Sequence, residues 1–231
     1  MILIDADILA YRIGFACKDE EWATARSQLD NLLYDIIVKT ATDADKHQLY
    51  LTGKGNFRID LATILPYKGT RTSEKPPHFY QLREYMERTW GAIVTEGIEA
   101  DDAIAIKGTE LGSDCVMVSV DKDFLQIEGH HFNFVKDLHI YIDEFTGLYN
   151  LYHQMLTGDR VDNIRGVVGI GQKKADKILA ECKTEADMYA AVLEAYDGNA
   201  EELLENAKLL YLLRSEDDEW KPPHERTPLA G

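Results

Sequence analysis

The chain has 231 residues, with 25 Lys and Arg against 41 Asp and Glu, a formal net charge of −16 and 45% hydrophobic residues. That balance suits a globular protein with one core and a smaller appendage, or two small domains. No apolar run approaches the roughly 18 to 20 residues that cross a bilayer, which excludes an integral membrane protein. Cys17, Cys115 and Cys182 form no CxxC pair, which argues against a disulfide scaffold or thiolate zinc site and favours a reducing compartment.

Met1-Ile2-Leu3-Ile4 reads as a first strand; with no basic region or cleavage site around it, the N-terminus argues against export and for a cytoplasmic setting. Trp22, Ala25, Leu29, Leu32, Leu33, Ile36 and Ile37 recur at helical spacing. Gln48-Leu49-Tyr50-Leu51 is a second strand, and Phe79, Leu82, Tyr85 and Met86 mark a helix started by Pro76-Pro77. Ile93-Val94-Thr95 is a third strand, followed by a helix from about 99 to 111. Cys115 to Val120 is apolar nearly throughout, as a strand covered on both faces should be. Phe132–Val135 and His139–Ile142 read as shorter edge strands, and from Gln154 onward the pattern is helical. Alternating strands and helices predict a doubly wound, mostly parallel α/β sheet with helices on both faces. The expected division is an α/β domain over 1–153, a helical region over 154–220, and a loose tail over 221–231.

Ligands bind outside the carboxyl ends of the strands in such sheets, and here that edge is crowded with acids. Asp5 and Asp7 follow the first strand, Glu99, Asp101 and Asp102 the third, Asp121 and Asp123 the fourth, while Asp159 and Asp162 occupy a later loop. Any one group reads better as turn residues, or as acids that complement a helix N-terminus, than as a site. Four segments converging is different. Packed together, such carboxylates repel and raise one another's pKa, and divalent cations relieve that cost. Oxygen-only ligands without Cys or His select Mg²⁺ or Mn²⁺, and two such ions form a clamp for displacement at phosphorus. Cations for substrate phosphates are at hand in Tyr67-Lys68-Gly69-Thr70-Arg71, flanked by Arg58 and Lys75.

Gly166-Val167-Val168-Gly169-Ile170-Gly171 precedes Lys173, Lys174 and Lys177 on a predicted helix. Glycines at 166, 169 and 171 permit close backbone approach to a phosphate, and the helix N-terminus and lysines favour the anion. It is neither a P-loop nor a dinucleotide fingerprint. An acidic chain can therefore still hold a nucleic-acid backbone, because its charges are segregated.

These residues resemble the 5′-nuclease family of flap endonucleases, bacteriophage 5′→3′ exonucleases and the 5′-nuclease domain of bacterial repair polymerases. The likeness covers about residues 1 to 180. It rests on Ile4-Asp5, Asn56-Phe57-Arg58, Tyr67 to Arg71, Glu99-Ala100-Asp101-Asp102, Ser119 to Asp123, and Gly158-Asp159 through Asp162-Asn163-Ile164 into the glycine hairpin. The resemblance implies a PIN-like 5′-nuclease fold in which Asp5, Glu99, Asp101, Asp102, Asp121, Asp123, Asp159 and Asp162 surround two Mg²⁺ or Mn²⁺ ions. It implies that Lys68 and Arg71 contact the scissile phosphate, that Tyr67 stacks near the unpaired terminal base, and that the hairpin is a helix–turn–helix duplex grip, with K⁺ bound in some members. Arg58 and Lys75 join the glycines and lysines as expected DNA contacts. The implied activity is metal-dependent 5′→3′ exonuclease and 5′-flap cleavage, leaving a 5′-phosphate and a 3′-hydroxyl. The implied setting is DNA replication or repair in a bacterial or phage-infected cell, with duplex DNA bearing a 5′ end, nick or flap as partner beside replication or recombination proteins.

The chain departs from the family pattern at the end of the second strand, where Thr52-Gly53-Lys54 stands in place of the usual Asp, with Asp7 as candidate substitute. The stretch between Arg58 and Phe79 is short, so any helical arch for threading single strands must be small. Two other readings stand beside the nuclease: a PIN-type ribonuclease, and a catalytically weakened, structure-specific DNA-binding protein.

Overall fold

The computed structural model describes residues 1–40, 46–72 and 74–226. In chain order the elements are β1 (Ile2–Asp5), α1 (Ala6–Ala16), α2 (Trp22–Lys39), β2 (His47–Lys54), α3 (Phe57–Leu61), α4 (Phe79–Trp90), β3 (Ile93–Glu96) and α5 (Ala100–Leu111). They continue with β4 (Val116–Val118), β5 (Gly129–Asn133), β6 (Leu138–Ile142), α6 (Glu144–Thr157), β7 (Gly158–Asp159), β8 (Ile164–Arg165), α7 (Gln172–Leu179), α8 (Glu185–Ala195) and α9 (Ala200–Leu210).

The main sheet has the order β3-β2-β1-β4-β5-β6, with every neighbouring pair parallel except β5–β6. Side chains of β1 alternate as a strand demands. Ile2 and Ile4 pack with α1, α2 and α4 on one face, while Leu3 packs with α5, Met117 and Phe124 on the other. Helices thus cover both faces, as the alternation predicted. The chain moves outward from β1 through β2 to β3, then returns to place β4 on the other side of β1. The crevice between β1 and β4 is therefore a topological switch point, where open α/β sheets bind ligands. Asp5 ends β1 and Asp121 closely follows β4, so chain reversal itself brings these two acids together.

A further buried apolar cluster joins α6–α9 to Tyr67 and Trp220. Its α6 begins at Glu144, where Asp143 caps the helix by accepting the Thr146 N–H at 2.7 Å, so the boundary expected at 153/154 falls inside a helix. Other elements also differ from the sequence reading. β4 is shorter than Cys115–Val120, and β5 at Gly129–Asn133 starts and ends before the expected Phe132–Val135. The β7–β8 pair interrupts the helical stretch expected from Gln154, and α1 follows β1 without a linker, which no periodicity announced. Of the expected loose tail, the described part packs: Arg226 pairs with Glu185 at 2.8 Å and lies over the Trp220 ring. The remainder, 227–231, lies outside the described residues.

Candidate active site

Above the β1/β4 switch point lies a cavity of about 630 Å³. Asp5, Asp7, Glu99, Asp101 and Asp121 line it, as do Lys68, Arg71, Lys75 and Arg83. Asp5 leaves β1 as the N-cap of α1 and accepts the Ser119 hydroxyl at 2.9 Å. Asp121 caps the turn at Lys122–Gln126 by accepting the Asp123 N–H at 3.0 Å. Glu99 and Asp101 stand at the start of α5. Strand ends and helix starts thus aim acids from distant segments at one space.

Their environments differ. Burial and then the Asp7 charge push the Asp5 carboxyl up to about 7. Burial and neighbouring Asp121 push Asp123 up to about 7, and burial with Asp5, Asp121 and Glu99 raises Asp101 well above the usual carboxylate range. Glu99 and Asp159 go the other way. Burial alone would raise each, but Lys68 beside Glu99 and Lys122 at 2.9 Å from Asp159 outweigh it and hold both below their ordinary values. Arg71 pairs with Asp162 at 2.6 Å, and Arg83 with Asp7.

Among the described residues, no set of three or more His, Cys, Asp or Glu side chains forms a ready-made metal cage. Mg²⁺ needs none, since it keeps several waters and takes one or two carboxylates directly. What fits a hard cation is the donor set itself: oxygen-only groups, among which burial and then neighbouring acids raise Asp5, Asp101 and Asp123 above the ordinary carboxylate range.

The structure separates three expected site residues from the cavity's chemistry. Asp102, expected as a metal ligand, is 0% exposed and forms a bidentate pair with Arg58, at 2.6 and 2.8 Å. It also accepts the Glu99 N–H at 3.2 Å, the capping role that first-turn acids often play. Arg58, expected as a DNA contact, is 1% exposed and cannot reach a phosphate. Tyr67, expected to stack on a base, is packed into the helical core; its hydroxyl lies 2.8 Å from both Glu99 and Asp162, so its ring offers no free face.

The other expected contacts are placed as follows. Lys75 sits over the Tyr11 and Phe79 rings at the cavity. The glycine hairpin joins β8 to α7, with Gly169 at φ +78° and Gly171 as the α7 N-cap. Gly166 lies so close to β7 that a Cβ there would be 2.4 Å from the Gly158 nitrogen. Lys173 and Lys177 are exposed, and Lys174 donates back to the Gly169 carbonyl at 2.7 Å. Asp159, which ends β7, and Asp162, in the β7–β8 loop, connect this hairpin to the cavity, because the Lys68 N–H donates to the Asp162 carbonyl at 2.8 Å.

The departure at Thr52-Gly53 has a steric reason. A Cβ on Gly53 would lie 2.0 Å from the Thr95 carbonyl oxygen, so no acid fits there. Thr52 accepts the Ala100 N–H at 3.0 Å, and its own N–H donates to Asp7 at 2.8 Å. Asp7 thus stands at the β2 end, as the substitution reading requires, but held by Arg83. Sequence reasoning missed Arg83, Lys122 and Gln154, which donates to Asp123. Arg83 had a signal: it follows Phe79 at i+4 and shares its helix face.

No family model matches the chain. It is 36% identical over 141 residues to DNA polymerase I of Rhizobium leguminosarum, covering 54% of this chain and 14% of that protein. It is 27% identical over 137 residues to flap endonuclease Xni of Shewanella piezotolerans, covering 53% of this chain and 52% of that protein. The chain therefore spans well under two thirds of the curated relatives it matches. A bacteriophage T5 protein co-crystallised with metal ions superposes with a TM-score of 0.73 at 18% identity, over 91% of this chain and 89% of that one. The T5 flap endonuclease in complex with DNA and metal ions gives 0.71 at 20% identity, over 91% and 88%. The resemblance carried by the acid and glycine motifs is borne out: the chain has the bacteriophage T5 5′-exonuclease fold and shares sequence with DNA polymerase I and a flap endonuclease.

Proposed function

We propose that the chain is a divalent-metal-dependent 5′→3′ exodeoxyribonuclease with 5′-flap endonuclease activity, yielding a 5′-phosphate and a 3′-hydroxyl. The observation that carries this reading is the cavity at the switch point, lined by Asp5, Asp7, Glu99, Asp101 and Asp121 together with Lys68, Arg71, Lys75 and Arg83. Asp5, Asp101, Asp121 and Asp123 would hold two Mg²⁺ or Mn²⁺ ions, with Glu99, Asp159 and Asp162 completing the set. Bound ions supply an activated water and offset the charge on attacking and leaving oxygens. Lys68 and Arg71 bind the scissile phosphate by exchanging Glu99 and Asp162 for phosphate oxygens. Lys173, Lys177 and the hairpin amides hold the duplex backbone away from the acids; a K⁺ at that hairpin and association with replication or recombination proteins belong to the same proposal. Among the described residues no helix is long and apolar enough to cross a membrane.

The test is a 5′-labelled duplex and a 5′-flap duplex incubated with Mg²⁺, Mn²⁺ or EDTA and run on a denaturing gel. Metal-dependent release of mono- or short oligonucleotides from the 5′ end is expected, and fragment length separates exonuclease from flap cutting. Preferential cleavage of RNA would replace this reading by a ribonuclease. The lack of room for an acid at Gly53 favours one alternative, a protein that binds flapped DNA without cutting it; a gel shift with no cleavage in either metal would establish it.

A further inference from the structure

The last two residues of α9 and the three that follow, 209–213, run buried off the sheet, where the helix-end carbonyls and the backbone beyond them must find partners elsewhere. The Tyr211 N–H still donates to the Ala207 carbonyl at 2.9 Å, and side chains supply further partners. The Arg58 guanidinium donates to the Leu209 carbonyl at 3.0 Å and the Tyr211 carbonyl at 2.6 Å. Gln126 donates to the Leu210 carbonyl at 3.0 Å and accepts the Leu212 N–H at 2.9 Å. Asp102 accepts the Leu213 N–H at 3.2 Å.

These partners are not scattered. Asp102 is the α5 neighbour of Asp101 and holds the Glu99 backbone, while Arg58 reaches within 3.8 Å of the Glu99 carboxylate. Gln126 ends the turn that carries Asp123. The segment is therefore fastened to two of the elements that present cavity acids, through side chains that are 0 to 2% exposed. Like charges crowded on two elements push them apart, and a dry, fully bonded network resists that displacement.

We infer that the 209–213 segment is a strap that sets the spacing between α5 and the Lys122–Gln126 turn, with Arg58, Asp102 and Gln126 as positioning residues for divalent cations held between them. The inference rests on the metal-dependent reading above. It gives Arg58 and Asp102 a role in metal affinity without contact to metal or DNA.

Two variants test it. Gln126→Met removes neutral bonds only, and Arg58→Lys keeps the charge but loses the planar fork. Mn²⁺ binding is measured calorimetrically without DNA, flap-DNA binding by anisotropy in EDTA, and folding by near-ultraviolet circular dichroism in the cold. For folded variants the expected result is Mn²⁺ half-saturation raised about tenfold or more, with DNA affinity in EDTA within about threefold of wild type. Unchanged Mn²⁺ affinity, or weakened DNA binding with normal Mn²⁺ affinity, overturns the strap. Loss of fold in both variants makes the segment a stability element and overturns it equally. Wild-type protein that binds no Mn²⁺ sinks the proposed function itself, whereas metal binding that is equal in wild type and variants sinks only the strap.

Discussion

The carboxylates gathered at the strand ends fall into two groups with different partners. Asp7, Glu99, Asp102, Asp159 and Asp162 each face an arginine or lysine: Arg83, Lys68, Arg58, Lys122 and Arg71. Among the described residues, Asp5, Asp101, Asp121 and Asp123 have no such ion pair and face mainly one another. The paired group is electrostatically complete in the folded chain. The unpaired group is not, and under the proposed function a divalent cation completes it. The comparison teaches that residue type and edge position do not separate the two groups; the neighbouring cationic side chain does.

The largest test of that division is Asp101→Asn. It should lower single-turnover cleavage of a 5′ flap about 10³-fold while leaving flap affinity in Ca²⁺ within about threefold. Cleavage that survives Asp101→Asn, or Asp121→Asn, would falsify the metal role of the unpaired group.

The next effect is on stability. Asp5 and Asp123 rise from 3.8 to about 7 on folding, so the native state binds more protons than the unfolded chain between those values. The metal-free protein should lose stability as pH rises from about 4 to about 7, with the full cost present above that window. In EDTA the melting temperature at about pH 6 should exceed that at about pH 8.5 by about 5 °C or more, and saturating Mn²⁺ should shrink the difference. Calorimetry showing no pH effect, or the opposite sign, would place those acids in an ordinary solvated environment.

A smaller effect comes from moving a residue between groups. Arg83→Met leaves Asp7 without its partner at the cavity and should tighten Mn²⁺ binding about threefold, measured by titration. Weaker binding would mean that Arg83 orients Asp7 as a ligand. Smallest is Lys173→Ala on the exposed hairpin helix, which should cost about twofold in duplex affinity and lower the salt slope by about one. A large loss in cleavage with normal binding would move Lys173 into the active site.

Much of the scaffold was legible along the chain. The alternation of Met1–Ile4, Trp22–Ile37 and Gln48–Leu51 announces an α/β sheet because a buried parallel strand must be apolar throughout while a covering helix must be amphipathic. α1 escaped notice because it starts directly after β1, with Asp5 serving both as strand end and helix cap. The start of α6 at Glu144 was masked by β-favouring Phe145, Tyr149 and Tyr152 in its first turns.

The site was legible as a set and not as roles. Sequence alone determined that acids follow several strands, that a basic loop lies between them, and that a glycine hairpin precedes a lysine-bearing helix, because these are local facts of residue type and spacing. Only tertiary structure decided that Arg58 lies 2.6 Å from Asp102 rather than on the surface, and that the Tyr67 ring is enclosed. It also decided that the 209–213 segment ties two acid-bearing elements together. Coulomb energy and desolvation depend on distances between residues far apart in the chain, and folding alone sets those distances.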